Sequence, residues 1–189
     1  KMYALSDSLL HFSGTNDPTE WNDGSAGAGF INLSNNAPGS EDLQAIANYF
    51  DNIAVFAQQA IQIWFVSANE NLNQQVQVLS NTGTMAPHSV VEFGDNDVFY
   101  LGVSGVRSLR ARDSSNAAFV GDIGNPIDET VIDAINADTA SGTEAQGILD
   151  PRTGRYLLSI GGTVFVFSYF PSSKVSAWST YEPGFAVDN

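Results

Sequence analysis

The chain is 189 residues long, with 21 acidic side chains against 7 basic ones, a formal net charge of −14, and no cysteine. That length suits one domain or two small ones, and it can bury a core without disulfide or metal staples. The composition excludes thiolate metal sites, cysteine nucleophiles and disulfides. It also excludes an apolar run of about 18 residues able to span a membrane, and it argues against tight binding to phosphate backbones, which needs Lys and Arg.

Hydrophobic residues make up 43% of the chain and aromatics 11%, too many for a disordered acidic tail. Apolar runs of four to eight residues recur between Gly, Asn and Asp. The chain therefore reads as many short strands joined by tight turns.

In chain order, Met2–Leu5 and Leu9–Ser13 are predicted strands joined by a turn at Ser6–Ser8, with Gly29–Leu33 as a third. Gly24–Gly29 (GSAGAG) has the glycine content of a dinucleotide fingerprint but not its strand–helix context, so it is read as a loop. The next four strands are Ala45–Phe50, Ile53–Phe56, Ile61–Ser67 and Gln75–Leu79, with turns at Asp51-Asn52 and Gln58-Gln59. Four more follow at Ser89–Phe93, Val98–Leu101, Val106–Arg112 and Ala117–Val120, with turns around Asp95-Asn96 and Ser104-Gly105.

A helix then breaks the pattern. Asn125 precedes Pro126, acids fill the first turn, and Ile127, Val131 and Ile135 share one face. The spacing predicts a short helix near 126–137, followed by a polar loop. The last four strands are Ala145–Leu149, Tyr156–Ile160, Val164–Phe170 and Val175–Thr180, with turns at Pro151–Gly154 and Gly161-Gly162.

The second strands of successive units start 45 residues apart from Ile53 to Val98, and 58 apart from Val98 to Tyr156, where the helix is inserted. Four-stranded units of about 40–45 residues are the signature of propeller blades. The expected fold is all-β and β-propeller-like, one domain over 1–189. Its blades are 1–35 with 184–189, 43–80, 88–121 and 144–181, with an insertion at 125–143. The first blade lacks its own first strand, which Gly184–Asn189 would supply. A sandwich of hairpins without radial symmetry is the competing arrangement.

Three stretches carry a resemblance to a known family. They are Ile61–Phe65 (IQIWF), Gly83–Ser89 (GTMAPHS), and Val103–Ala117 (VSGVRSLRARDSSNA) running on to Asp122–Ile127 (DIGNPI). The stretches Leu10–Gly14, Asp17–Trp21, Tyr169–Lys174 and Ala177–Tyr181 fit the same pattern. The chain resembles the tail nozzle proteins (tail tubular protein B-like) of short-tailed bacteriophages. The resemblance implies a virion protein carrying β-propeller elements, partnered by the adaptor and by further nozzle subunits in a homo-oligomeric ring. Such a tube conducts DNA during ejection without binding it tightly. Nozzle proteins are longer than this chain, which would form a propeller portion of one or a stand-alone relative. No membrane partner is implied.

The residues themselves point to few sites. Arg107, Arg110 and Arg112 are three of the seven bases, and strand alternation puts Arg110 and Arg112 on one face and Arg107 on the other. Contact with phosphate or a neighbouring subunit is one reading. Pairing with Asp113, Asp122 and Asp128 is the other. Trp64 and Trp178, with Trp21, Tyr169 and Tyr181, would line a sugar-binding surface or fill blade interfaces. Apolar residues on both faces of the third strands favour packing.

His11 and His88 have no metal-ligand partner at a suitable spacing. Ser104-Gly105 lies outside a Gly-x-Ser-x-Gly elbow, and no phosphate-binding Gly-x-x-x-x-Gly-Lys loop occurs. Asp95-Asn-Asp97 lacks the rest of a calcium loop. Asp95, Asp97, Glu144 and Asp150 form no distinctive glycosidase pair. No enzymatic activity, catalytic residue, cofactor or metal site is expected. The expected role is structural, in a phage virion, with a glycan- or receptor-binding propeller module as the alternative.

Overall fold

The computed structural model describes residues 1–34, 42–94, 97–111, 118–137, 144–170, 172–173 and 175–184. Within them the chain is all-β and propeller-like, built from antiparallel blade-like meanders with one α-helix. Every predicted strand inside the described residues forms, with ends displaced by no more than two residues. The chain divides into two compact units, residues 1–84 with 112–118, and residues 85–111 with 119–189.

The first unit opens with β1 (Tyr3–Ser6), β2 (Leu9–Phe12) and β3 (Gly29–Asn32), a three-stranded meander in that order. The strand expected to complete this blade falls on 185–189, outside the described residues. Next come β4 (Leu43–Tyr49), β5 (Asn52–Ala57), β6 (Ala60–Phe65) and β7 (Gln74–Ser80), a four-stranded meander in sequence order. Both faces of β5 and β6 are buried, as their largely apolar runs require. Leu10, Leu33, Ile53, Val55 and Trp64 form the core joining the two sheets.

A polar side chain lies within this layer. Gln62 is buried. Its amide donates to the Leu33 carbonyl at 3.3 Å, and its Oε1 accepts from Trp64 Nε1 at 3.0 Å and from Gln75 Nε2 at 2.9 Å. A buried amide is tolerated because its donor and acceptor are both used.

The β4–β5 turn differs from expectation by one residue. Tyr49 pairs with Asn52, so the loop is Phe50-Asp51. Phe50 takes the left-handed conformation, φ 53°, normally left to Gly at the first position of such a loop. Its ring meets the buried Tyr49 ring edge-on at 4.9 Å, an apolar contact that offsets the backbone cost.

The second unit holds β8 (Val91–Phe93), β9 (Asp97–Gly102), β10 (Gly105–Ala111) and β11 (Ala118–Asp122), then α1 (Asp128–Ala137). It continues with β12 (Gln146–Asp150), β13 (Arg155–Ile160), β14 (Thr163–Phe170) and β15 (Val175–Tyr181). Each set of four strands forms a sheet in sequence order. The core between them includes Phe99, Leu101, Tyr156, Leu158, Phe165 and Phe167. Helix α1 adds the buried Val131, with Ile127 and Ile135 packed beside the same core, the face its spacing predicts.

Ser89 ties this unit together from a 3-10 turn over Pro87–Ser89. Its hydroxyl donates to the Ala86 carbonyl and accepts from the Leu101 amide on β9, and its carbonyl accepts from the buried Tyr156 hydroxyl on β13. A two-residue loop joins the second and third strands of each four-stranded meander, at Gln58-Gln59, Val103-Ser104 and Gly161-Gly162, and joins β1 to β2 at Asp7-Ser8. This common geometry is the structural counterpart of the sequence repeat.

Candidate binding cleft

Two strand pairings in the second unit place opposite charges beside aromatic rings. Counting outward from the Val103-Ser104 loop, Arg110 on β10 lies directly across from Asp97, the first residue of β9. On the other side Asp97 pairs with Phe93 of β8. The Phe93 and Phe99 rings stack at 4.3 Å with a 9° interplanar angle, and Phe167 of β14 meets both edge-on. The two sheets thus bound a cleft of about 660 Å³ with an aromatic floor.

Tyr169 of β14 and Ser176 of β15, which pair across their strands, line one side. Asp122, Ile123, Asn125 and Pro126 line another. The second wall is held from behind. Trp178 packs beside Phe167, ring centroids 5.1 Å apart and tilted by 57°, and its indole N–H donates to the Ile123 carbonyl at 2.8 Å.

Of the cleft's charged side chains, Asp97 and Arg110 are only loosely joined. Arg110 Nε lies 3.9 Å from Asp97 Oδ1, outside hydrogen-bond range, and donates instead to Ser108 Oγ at 2.8 Å. Burial pushes the Asp97 carboxyl above the usual carboxylate range, and the Arg110 charge opposes this more weakly. Gly121 permits the guanidinium to lie close against β11, because a Cβ there would stand 2.9 Å from Arg110 Nε. Among the described residues, no acceptor meets the terminal nitrogens of Arg110.

Arg107 is engaged elsewhere. Its Nη1 lies 3.1 Å from Asp122 Oδ1 and 2.9 Å from Asp128 Oδ2, while Nη2 donates to the Ser104 carbonyl and hydroxyl. This hub fastens the first turn of α1 to the β9–β10 hairpin. Asp128 Oδ1 is buried without a hydrogen-bond partner among the described residues. It points at Gly105, whose φ of 122° and missing side chain make room for it.

The sequence candidates therefore separate. Arg110 reaches the cleft, and Arg107 is consumed in ion pairing with Asp122 and Asp128. Arg112 and the Asp95-Asn96 turn lie outside the described residues. Trp64 is 6% exposed and packs in the first unit, so it offers no surface. Trp178 is half-buried and supports the cleft from behind.

His11 stands beside Phe30, with ring centroids 6.0 Å apart, and His88 lies in the 3-10 turn. Phe93, Phe99, Asn125 and Ser176 were not singled out by the sequence. The loop is Val103-Ser104 rather than the expected Ser104-Gly105, and that shift sets Arg110 opposite Asp97 instead of Phe99. Among the described residues, no cluster of three His, Asp or Glu could hold a metal ion. No protein-family model matches the chain, and no curated protein matches it.

Proposed function

We propose that the chain is a non-catalytic structural component of the virion, a propeller portion of the tail nozzle of a short-tailed bacteriophage. It acts by assembly with further copies and with the adaptor, and borders the path of DNA without holding it. The observation that carries this reading is strand β15. It is seven residues long, VSAWSTY, with no charge and no proline, and six of its seven residues are exposed. One edge pairs with β14, and the other pairs with no strand among the described residues.

Soluble proteins usually blunt such an edge with Lys, Pro or a bulge. An open, uncharged edge in a chain of charge −14 suits strand addition within an assembly. Two further points support the reading. The stretches that resemble the nozzle family fall on β6, on the loop and 3-10 turn before β8, on β10 and the loop before it, and on the passage from β11 to α1. The acidic excess also repels phosphate, as a wall passing DNA requires.

An antibody against the chain, applied to virions of the phage that encodes it, tests the placement. Decoration of the tail is the expected result. Decoration confined to the head, or none on virions opened at the tail, would reject it.

A further inference from the structure

We infer that the cleft between the β8–β11 and β12–β15 sheets binds a neutral saccharide, a function separate from the structural role proposed above. The cleft's volume of about 660 Å³ falls within the roughly 300–1,000 Å³ of small-ligand sites. Its lining combines the two things a sugar presents, apolar C–H faces and a ring of hydroxyls. Tyr169, 43% exposed, and the half-buried Phe93 supply ring surface, above Phe99 and Phe167, which are buried beneath them.

Polar groups of both kinds converge on the same space. Asp97 only accepts hydrogen bonds and Arg110 only donates them, while Asn125 and Ser176 do both. Since the Asp97–Arg110 pair is open at 3.9 Å, each partner retains bonding capacity for a ligand.

Charge selects against the alternatives. An anionic ligand would face Asp97 and Asp122 within a strongly acidic chain, and a cationic one would face Arg110. A neutral polyol meets neither penalty and can bridge acceptor and donor together. A hydroxyl donating to Asp97 and another accepting from Arg110 would each form a charge-assisted hydrogen bond, about twice as strong as a neutral one. Tyr169 would stack on the sugar face.

The test is saturation-transfer NMR and calorimetry on the whole chain with a panel of neutral trisaccharides built from hexoses and from N-acetylhexosamines. Sialylated and uronic-acid trisaccharides serve as charged comparisons. The expected result is saturable binding of at least one neutral member. Tyr169→Ala and Asp97→Ala, each checked for an unchanged fold by circular dichroism, should weaken it by about tenfold or more, the equivalent of about 1.4 kcal/mol. Trp21→Ala, an exposed aromatic in the first unit, should leave it unchanged. The inference is overturned by the absence of saturable binding, by binding confined to the charged sugars, or by binding that survives both cleft substitutions.

Discussion

Arg107 Nη1 lies 2.9 Å from Asp128 Oδ2, a pair whose side chains are 14% and 18% exposed. It links β10 to the helix that interrupts the blade pattern. The same nitrogen also reaches the more exposed Asp122. Removing the guanidinium would leave Asp128 half-buried with neither oxygen bonded to a side chain, since Oδ1 already lacks a partner.

Arg107→Ala should therefore destabilise the second unit by about 2–4 kcal/mol, because a largely buried charge loses its partner. Arg107→Lys should recover only part of the loss, since an ammonium cannot span Asp122, Asp128 and Ser104 together. Chemical denaturation followed by tryptophan fluorescence measures both. Equal stability of the Lys variant and the parent would count against a hub that depends on guanidinium geometry.

In the first unit the corresponding test falls on Gln62. Gln62→Leu keeps the volume but removes the acceptor of Trp64 Nε1 and Gln75 Nε2 and the donor to the Leu33 carbonyl. A buried polar group left unsatisfied costs about 1–3 kcal/mol. The expected result is a lower melting temperature with a red-shifted Trp64 emission. An unchanged melting temperature would mean that the network is dispensable.

Acid titration should separate the carboxylates by environment. Burial raises the Asp97 carboxyl. Asp150 is lowered, first by the Thr153 hydroxyl at 2.6 Å and then by the Arg152 amide, and Asp17 is lowered by Thr19. The stability effects then have opposite signs. Protonated Asp97 favours the fold below the ordinary carboxylate range, and this contribution is lost as pH rises through its folded pKa. The contributions of Asp17 and Asp150 are present above the ordinary range and are lost as pH falls through their folded values. Carboxyl carbon NMR should show Asp97 titrating above, and Asp17 and Asp150 below, the ordinary value. Asp97→Asn should gain melting temperature relative to the parent more at pH 7 than at pH 3. The reverse order of titration would contradict the burial of Asp97.

The blades were legible in the sequence because hairpins are local. Gly161-Gly162, Gln58-Gln59 and the runs beside them carry their own turn and strand signals, and Pro126 with Asp128 and Glu129 announces α1. Sheet packing was less legible. Trp64 and Trp178 are alike as sequence, yet one fills a core and the other braces a wall, a distinction set by which sheet faces which. The turn at Phe50-Asp51 was displaced because a bulky residue took a conformation normally reserved for Gly. The cleft needed register as well as composition: Arg110 and Asp97 are thirteen positions apart, and only the length of the intervening loop sets them face to face.

Sedimentation velocity tests most directly the proposal that the chain assembles through the open edge of β15. The parent chain should associate reversibly as its concentration rises. The double variant Ala177→Lys, Ser179→Lys, with both changes at exposed positions of β15, should remain monomeric while keeping its circular dichroism spectrum. A parent chain that stays monomeric at every concentration, or a folded double variant that associates as strongly as the parent, would contradict the claim.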